Sequence, residues 1–230
     1  MSKERKTIYL DHAATTYVRD EVVKAMEPYW QDIYGNPSSI YFKGQEAKRA
    51  LNDARSKVAS IFNCESSEII FEGSGSESDN HALIGTALAN QGNGKHLITT
   101  AIEHHAVLHA MAYLETLGFE VTYLPVDKDG LVKEQDLKDA ITPKTILVSI
   151  IHGHNEIGTV QDIKKLNKIS KEVNKDIIFH TDACQSAAFY NLDVKDLDID
   201  LMTINGSKIY GPKATGVLYI KKGTIVNPII

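Results

Sequence analysis

The feature that most constrains this chain is a series of five short β-type runs, several of them continuously apolar. They lie at 96–102, 120–126, 145–151, 176–182 and 200–205. Strands that are buried on both faces of a parallel sheet have this character, because neither face meets water. Segments with helical spacing of apolar residues separate most of the runs, at 105–117, 133–141 and 161–174. The alternation predicts an α/β fold, a three-layer α/β/α domain with a mostly parallel central sheet.

The segments that flank this series add further elements. Helices are predicted over 18–33 with a break at Pro28, over 43–62 and over 76–90, and a short strand over 68–73. The last apolar run, at 216–222, has the character of an exposed edge strand. We find no internal repeat and no Pro/Gly/Ser-rich linker that would divide the chain.

Composition excludes several classes of protein. The net charge is −5 over 230 residues, whereas a general binder of nucleic acid or of anionic membranes carries a basic face. No apolar run approaches the roughly 20 residues of a membrane span, and the N-terminus lacks the apolar core of a signal peptide. The two cysteines, Cys64 and Cys184, form neither a CxxC pair nor a disulfide framework. We therefore expect a cytoplasmic protein that binds neither nucleic acid nor membrane.

Ligands of open α/β sheets bind beyond the carboxyl ends of the strands, so the segments after the predicted strands are the candidates for a site. The first is GSGSES at 73–78, which leads into a helix. Small residues such as Gly75 and Ser76 let the backbone approach an anion, which the free N–H groups of a helix N-terminus can hold. An ordinary strand–helix turn with a serine N-cap explains the segment equally well.

The second candidate segment is EHHAVLH at 103–109. His104 lies at a strand end, where a flat imidazole can stack on a planar ring or move protons. His105 and His109 are one helical turn apart, a spacing that can bind metal. Because HExxH is missing and no carboxylate cluster completes a ligand set, we interpret these two as solvated helix histidines and expect no metal.

The third and fourth candidates follow two buried strands. Asn155 comes after the run at 145–151, and its amide can donate a hydrogen bond to a ring oxygen. Asp182 ends the run at 176–182, and a carboxylate at a buried strand end needs a partner. That partner is either a protonated heterocyclic nitrogen or the cation of a structural salt bridge. Gln185 is close enough in sequence for its amide to reach the same ligand.

The last candidate is Lys208, which lies between small residues a few positions after the run at 200–205. A lysine that is desolvated in such a cleft can act as a Schiff-base nucleophile. The alternative is an ordinary surface lysine, and Lys213 is interpreted in that way. A phosphate cradle, a stacking histidine, an aspartate for a ring nitrogen and a lysine for an aldehyde are together what pyridoxal phosphate requires. Their order along the chain therefore predicts a pyridoxal-phosphate site.

At these residues the sequence resembles the cysteine desulfurases, within the class V aminotransferase group of fold-type I pyridoxal-phosphate enzymes. The motifs that carry the resemblance are YLDHAATT (9–16), YGNPSS (34–39), SESDN (76–80), EHHAV (103–107), HNEIGTVQDI (154–163), HTDACQS (180–186) and GSKIYGPK (206–213). They span almost the whole chain and are jointly specific. The implied fold is the large domain of a fold-type I transferase.

The resemblance implies a role for each matching residue. Lys208 would carry the cofactor as an imine, and His104 would stack on its ring and help in proton transfer. Asp182 would pair with the ring nitrogen, and Gln185 would meet the ring hydroxyl oxygen. The phosphate would be held by Gly75 and Ser76, and Asn155 would lie near the substrate carboxylate and the cofactor. The family is homodimeric, with its sites near the subunit interface.

Some positions depart from the family pattern. Asn205 and Ser207 stand where the family usually has a serine and a histidine that contact phosphate, so hydrogen-bonding groups are kept but the charge balance changes. Tyr41 and Ala214 stand where a histidine and a glycine are usual.

The largest departure concerns the end of the chain. The family continues with a small C-terminal domain that carries the nucleophilic cysteine on a mobile loop, an arginine for the substrate carboxylate and a threonine for the partner's phosphate. Neither Cys64 nor Cys184 matches that cysteine. The expected organisation is a cofactor-binding large domain at 18–230 and an N-terminal segment at 1–17 that belongs to the small-domain and interface region, with the small domain missing.

The activity that the resemblance implies is conversion of L-cysteine to L-alanine, with sulfur held as an enzyme persulfide and passed to a sulfur-acceptor protein, as in iron–sulfur cluster assembly. The chain alone is expected to be inactive or incomplete. Three alternatives stay open. They are a related class V enzyme (selenocysteine lyase, aminotransferase or epimerase), a non-catalytic domain that binds the cofactor or a partner, and, least favoured, a His-rich metal hydrolase.

Overall fold

A seven-stranded sheet is the centre of the computed structural model, which describes residues 7–229. Its strands are β1 Ile69–Glu72, β2 His96–Thr100, β3 Glu120–Leu124, β4 Thr145–Ser149, β5 Ile178–Asp182, β6 Leu201–Asn205 and β7 Gly216–Ile220. Their spatial order is β1-β7-β6-β5-β4-β2-β3, and the five strands from β6 to β3 run parallel. The mostly parallel sheet predicted from the continuous apolar runs is thus confirmed.

The helices pack around this sheet. They are α1 Asp20–Met26, α2 Pro28–Gln31, α3 Phe42–Ile61, α4 Gly75–Asn80, α5 Thr86–Asn90, α6 His105–Thr116, α7 Glu134–Ala140, α8 Ile163–Val173 and α9 Val194–Leu197. A π-helical turn, His81–Gly85, joins α4 to α5, so the segment predicted as one helix is continuous. Pro28 begins α2, which confirms the predicted break. Within residues 7–229, no helix is both long and apolar enough to cross a bilayer.

The prediction that the last apolar run forms an exposed edge strand is wrong. β7 lies between β1 and β6, pairs antiparallel with both, and is buried from Gly216 to Tyr219. Lys221 and Lys222, the polar end of the predicted run, follow the last residue of β7. Each forms an ion pair, Lys221 with Asp198 and Lys222 with Glu65. The polar end of this run therefore belongs to the surface, while the strand itself belongs to the core.

Both faces of the sheet are covered. Neighbouring residues of one strand, such as Leu97 and Ile98, belong to different apolar clusters, because successive side chains of a strand point to opposite faces. Leu147 and Val148 divide in the same way on β4. Burial of each such side chain contributes about 1.5–3 kcal/mol. The two clusters hold the five parallel strands together. Because these strands run in the same direction, their carboxyl ends meet at one edge of the sheet.

Candidate functional site

A cavity of about 480 Å³ opens at the carboxyl end of the parallel strands. Eight residues that the sequence predicted for the site line it together: Gly75, Ser76, His104, Asn155, Asp182, Gln185, Asn205 and Lys208. They arrive from the start of α4, the ends of β5 and β6, and the segments after β2 and β4. The fold therefore brings distant motifs to one place, as the rule for open α/β sheets predicts.

One wall of the cavity is the N-terminus of α4. The side chain of Ser74 caps this helix by accepting a hydrogen bond from the Glu77 N–H at 3.0 Å. Gly75 is enclosed so tightly that an added Cβ would meet Cys184 Sγ at 2.7 Å and Asn205 Cβ at 3.0 Å. The first N–H groups of a helix have no intrahelical acceptor, so this wall can bind an anion.

The floor of the cavity is acidic. Asp182 ends β5, is 4% exposed, and accepts a hydrogen bond from the Cys184 N–H at 2.9 Å. Asp79 comes from α4, is 1% exposed, and its Oδ1 has no hydrogen-bond partner among the described residues. One ligand-type atom from each of Asp79, His104 and Asp182 lies within 4.8 Å of the others. No sequence pattern marks Asp79 as a site residue, because it resembles an ordinary exposed acid in the first turns of a helix.

Burial dominates the electrostatics of this floor. It raises the pKa of Asp79 well above its ordinary value, and the charge of Asp182 adds to the effect. Burial likewise raises the pKa of Glu103 to about 8. It lowers the pKa of His180 to about 3, so this histidine is neutral near pH 7. His180 forms hydrogen bonds with Ser149 Oγ at 2.9 Å and with Thr203 Oγ1 at 3.1 Å.

His104 contributes a hydrogen-bond donor. As the N-cap of α6, its Nδ1 accepts the Ala106 N–H at 3.1 Å. In the neutral ring the proton is then on Nε2, an assignment that follows from this hydrogen bond. His105 and His109 lie exposed on α6 and do not line the cavity.

Lys208 ends a short 3₁₀ turn, Gly206–Lys208, directly after β6. Its Nζ donates hydrogen bonds to the carbonyl oxygens of Ala13 at 2.6 Å and Ala14 at 2.7 Å. Among the described residues that line the cavity it is the sole lysine, and no arginine accompanies it. Lys213 donates instead to the carbonyl oxygen of Thr16 and does not line the cavity.

Ser207 is the predicted site residue that does not line the cavity. Its N–H and its hydroxyl group both donate to Asn205 Oδ1, at 3.0 and 2.9 Å. This small polar turn fixes the backbone just before Lys208. Ser207 therefore shapes the turn, and Asn205 is the residue of the pair that reaches the cavity.

Residues 13–16 form the outer rim. The Thr16 hydroxyl donates to the carbonyl oxygen of Ser207 at 2.9 Å and accepts from the Tyr210 N–H at 2.8 Å. Gln185 donates through Nε2 to the carbonyl oxygen of Ala13 at 2.8 Å. Residues 1–6 of the N-terminal segment predicted as 1–17 lie outside the described residues. No periodic pattern marks this rim, and a motif match at 9–16 is the one sequence signal that points to it.

Known proteins resemble this chain over almost its whole length. The family model "Aminotransferase class-V" matches residues 8–228. "Cysteine desulfurase IscS" of Methanosarcina thermophila is 52% identical to this chain; the match covers the whole chain and 56% of that relative. "Cysteine desulfurase IscS" of Dictyoglomus turgidum is 50% identical, and the match covers 98% of this chain and 57% of that relative. The chain thus spans about half the length of the curated relatives it matches.

Two solved structures share the fold. A "NifS-like protein" superposes with a TM-score of 0.95 at 38% identity, covering 97% of this chain and 61% of that protein. The structure described as "SspA in complex with cysteine" superposes with a TM-score of 0.93 at 40% identity, covering 97% and 65%. The second of these proteins binds cysteine.

Proposed function

The chain belongs to the class-V aminotransferase family, and we propose that it forms the pyridoxal-phosphate-binding part of a cysteine desulfurase. The observation that carries the proposal is the position of Lys208. This lysine lines the same cavity as the buried acid Asp182 and the N-terminus of α4. Similarity to cysteine desulfurases over the whole chain supports the choice of reaction.

The residues present fit this cofactor. The buried, unpartnered Oδ1 of Asp79 and the neighbouring Asp182 favour a cationic ring nitrogen at the floor. Gly75 and Ser76 line the cavity at the start of α4, where the first N–H groups of the helix can hold a phosphate group. When bound, pyridoxal phosphate supplies an aldehyde that takes up an amine and a ring that withdraws electrons from the substrate.

Each side chain then has a defined task. Lys208 supplies the amine that anchors the aldehyde, and it must leave the two carbonyl oxygens of Ala13 and Ala14 to do so. Asp182, whose carboxylate accepts the Cys184 N–H, would keep the ring nitrogen of the bound cofactor protonated. His104 would stack on the ring and, with a proton on Nε2, would pass that proton within the cavity. Gln185 and Asn155 orient the ring oxygen and the substrate carboxylate.

The substrate we propose is L-cysteine, and the products are L-alanine and sulfur carried as a persulfide. A thiolate must accept that sulfur, since the thiolate and not the thiol is the nucleophile. Burial raises the pKa of Cys184 well above its ordinary value, and that of Cys64 to about 11, so both stay protonated near pH 7. We therefore propose that neither cysteine accepts sulfur and that this chain alone does not turn over cysteine.

The wider assignments follow from the family. We propose that residues 18–230 form the cofactor-binding domain and that residues 1–17 belong to the interface region. A homodimer, a sulfur-acceptor protein and a cytoplasmic location complete the proposal.

Absorbance of the purified protein with pyridoxal phosphate tests the function. We expect a visible band from covalent attachment to a lysine, and its complete loss in Lys208→Ala. Lys213→Ala is the matched control, because this nearby lysine binds the backbone of Thr16 and not the cavity; it should keep the band. A protein with no band, or with a band that survives in Lys208→Ala, would contradict the proposal. Production of alanine and sulfide by the chain alone would contradict the part that concerns the thiolate.

A further inference from the structure

Asp79 is a buried acid at the cavity floor to which the proposed function gives no separate task. It lies on α4, is 1% exposed, and lines the cavity. Its Oδ1 is buried and has no hydrogen-bond partner among the described residues. A buried carboxylate oxygen without a hydrogen-bond donor raises the free energy of the folded protein. A ligand N–H group that points at this floor would donate to that oxygen and remove this unfavourable contribution.

The surroundings of Asp79 contain acids and neutral groups. Asp182 and Cys184 face it from the end of β5, and Glu103 from the segment after β2. The His180 ring lies with Nε2 at 3.7 Å from Asp79 Oδ1, but burial keeps it neutral.

The remaining neighbours supply no charge compensation either. Thr203 on β6 is the neutral polar neighbour of Asp79. Lys208 is the one lysine among the described residues that line the cavity, and its ammonium group is held by the carbonyl oxygens of Ala13 and Ala14. His104 offers only a neutral ring. Among residues 7–229, the free protein therefore places two carboxyl groups at the floor with no cation in contact.

We propose that Asp79 and Asp182 together form a two-carboxyl site for one cationic ring nitrogen, and that arrival of this cation displaces a proton which the two carboxyl groups hold in the free protein. The proposal rests on the proposed function, since it concerns how the same cavity takes its ring. The proton leaves Asp79 for solvent and no other bond changes. Asp79 is thus a positioning residue that selects a ring with a protonated nitrogen.

The sign of the linkage follows from the two carboxyl groups. Two acids this close ionise in separate steps, and burial together with the charge of Asp182 raises the pKa of Asp79, so both effects favour a proton shared by the pair. A cation at the floor favours the fully ionised pair and so lowers that pKa. Ligand binding then releases up to about one proton. Affinity for the ligand rises up to about tenfold per pH unit between the pKa of the ligand-bound pair and the pKa of the free pair.

The experiment is calorimetric titration of the protein with deoxypyridoxine phosphate, a ring phosphate that lacks the aldehyde and cannot react with Lys208. Titrations in buffers of different ionisation enthalpy, between about pH 6 and pH 8, count the protons released. We expect wild type to release more protons than Asp79→Asn, by up to about one per ligand. Glu77→Gln is the control on the same helix, since its carboxylate binds the Gly73 N–H and does not line the cavity. This variant should release as many protons as wild type.

Equal proton release by wild type and Asp79→Asn would overturn this inference and leave the proposed function standing. Failure of wild type to bind any pyridoxal phosphate would overturn both. Should Asp79→Asn not fold, difference infrared spectroscopy of Glu103→Gln serves instead, because that variant removes the other buried acid with a raised pKa. Loss of a protonated-carboxyl band on ligand binding supports the inference, and persistence of the band overturns it.

Discussion

Buried acids occupy both ends of the central strands, but in opposite circumstances. At the amino end, Asp200 precedes β6 and its Oδ2 accepts hydrogen bonds from Lys171 Nζ at 2.7 Å and from the Phe179 N–H at 2.8 Å. At the carboxyl end, Asp79 and Glu103 each keep a buried oxygen without a partner among the described residues. The same sheet therefore satisfies its acids at one end and leaves them short of donors at the other.

This difference separates stability from ligand binding. A buried acid with a cation and an N–H donor ties neighbouring elements together, here α8, β5 and β6. Unpaired buried acids cost free energy of folding and are tolerated where a ligand uses them. We infer that substitutions at the amino end lower stability with little effect on cofactor binding. Neutral substitutions at the carboxyl end should not lower stability, and those that remove an acid from the cavity should weaken cofactor binding.

The largest effect is expected for Asp182→Asn. Removal of one partner of a buried charged hydrogen bond costs about 2–5 kcal/mol, so affinity for pyridoxal phosphate should fall at least about 30-fold. Equilibrium dialysis measures the affinity, and urea unfolding of the free protein should show no loss of stability. An affinity within about threefold of wild type would contradict the role of the floor.

Glu103→Gln tests the cost of an unpaired acid. The raised pKa of Glu103, about 8, means that the folded state holds a proton that the unfolded state loses near the ordinary value of 4.5. Stability from this group is therefore fully present below pH 4.5 and is lost as pH rises towards 8. Glutamine imitates the protonated form and keeps acceptors for the Ile151 N–H and the Thr100 hydroxyl.

Between pH 4.5 and about 8, we expect the free energy of unfolding of Glu103→Gln to rise relative to that of wild type by up to about 1.4 kcal/mol per pH unit. The free energy of unfolding in urea, measured for both proteins over the window, gives the difference directly. A difference that does not change with pH would show that Glu103 is ionised in the folded protein.

Asp200→Asn probes the other end of the sheet. The change leaves the Lys171 ammonium without its carboxylate, although that ammonium also contacts the carbonyl oxygen of Ile177. We expect a loss of about 1–3 kcal/mol in the free energy of unfolding, because a partly buried partner is left unpaired. Affinity for pyridoxal phosphate should stay unchanged. A matched loss of affinity would mean that the two ends are not independent.

Much of the fold and part of the site were predictable from sequence, for a physical reason. Continuous apolar runs mark strands covered on both faces, and parallel strands bring their carboxyl ends together, so the meeting of His104, Asp182 and Lys208 follows from topology. The position of β7 did not follow, because antiparallel insertion between β1 and β6 is a long-range pairing with no local signal.

Two features of the site were also beyond local patterns. Asp79 lies in a polar, helix-forming stretch, and its burial depends on how α4 packs against β6 and β7. The rim at residues 13–16 is held by Ser207 and Tyr210, almost the whole chain length away. Neither contact leaves a periodic trace in the sequence, so only the tertiary structure reveals them.

The smallest effect on the free energy of unfolding is expected for Lys221→Met. This variant tests whether ion pairing or burial stabilises the amino end of the sheet. Lys221 Nζ lies 2.8 Å from Asp198 Oδ1, about the same distance as in the Lys171–Asp200 pair, but the two side chains are 41% and 71% exposed. Exposed pairs are screened by water and salt, so the loss should stay below about 1 kcal/mol. Urea unfolding of this variant beside Asp200→Asn compares two ion pairs of similar geometry at one end of the sheet. A loss as large as that of Asp200→Asn would mean that charge pairing alone stabilises this end, and the contrast between the two ends would then no longer depend on burial.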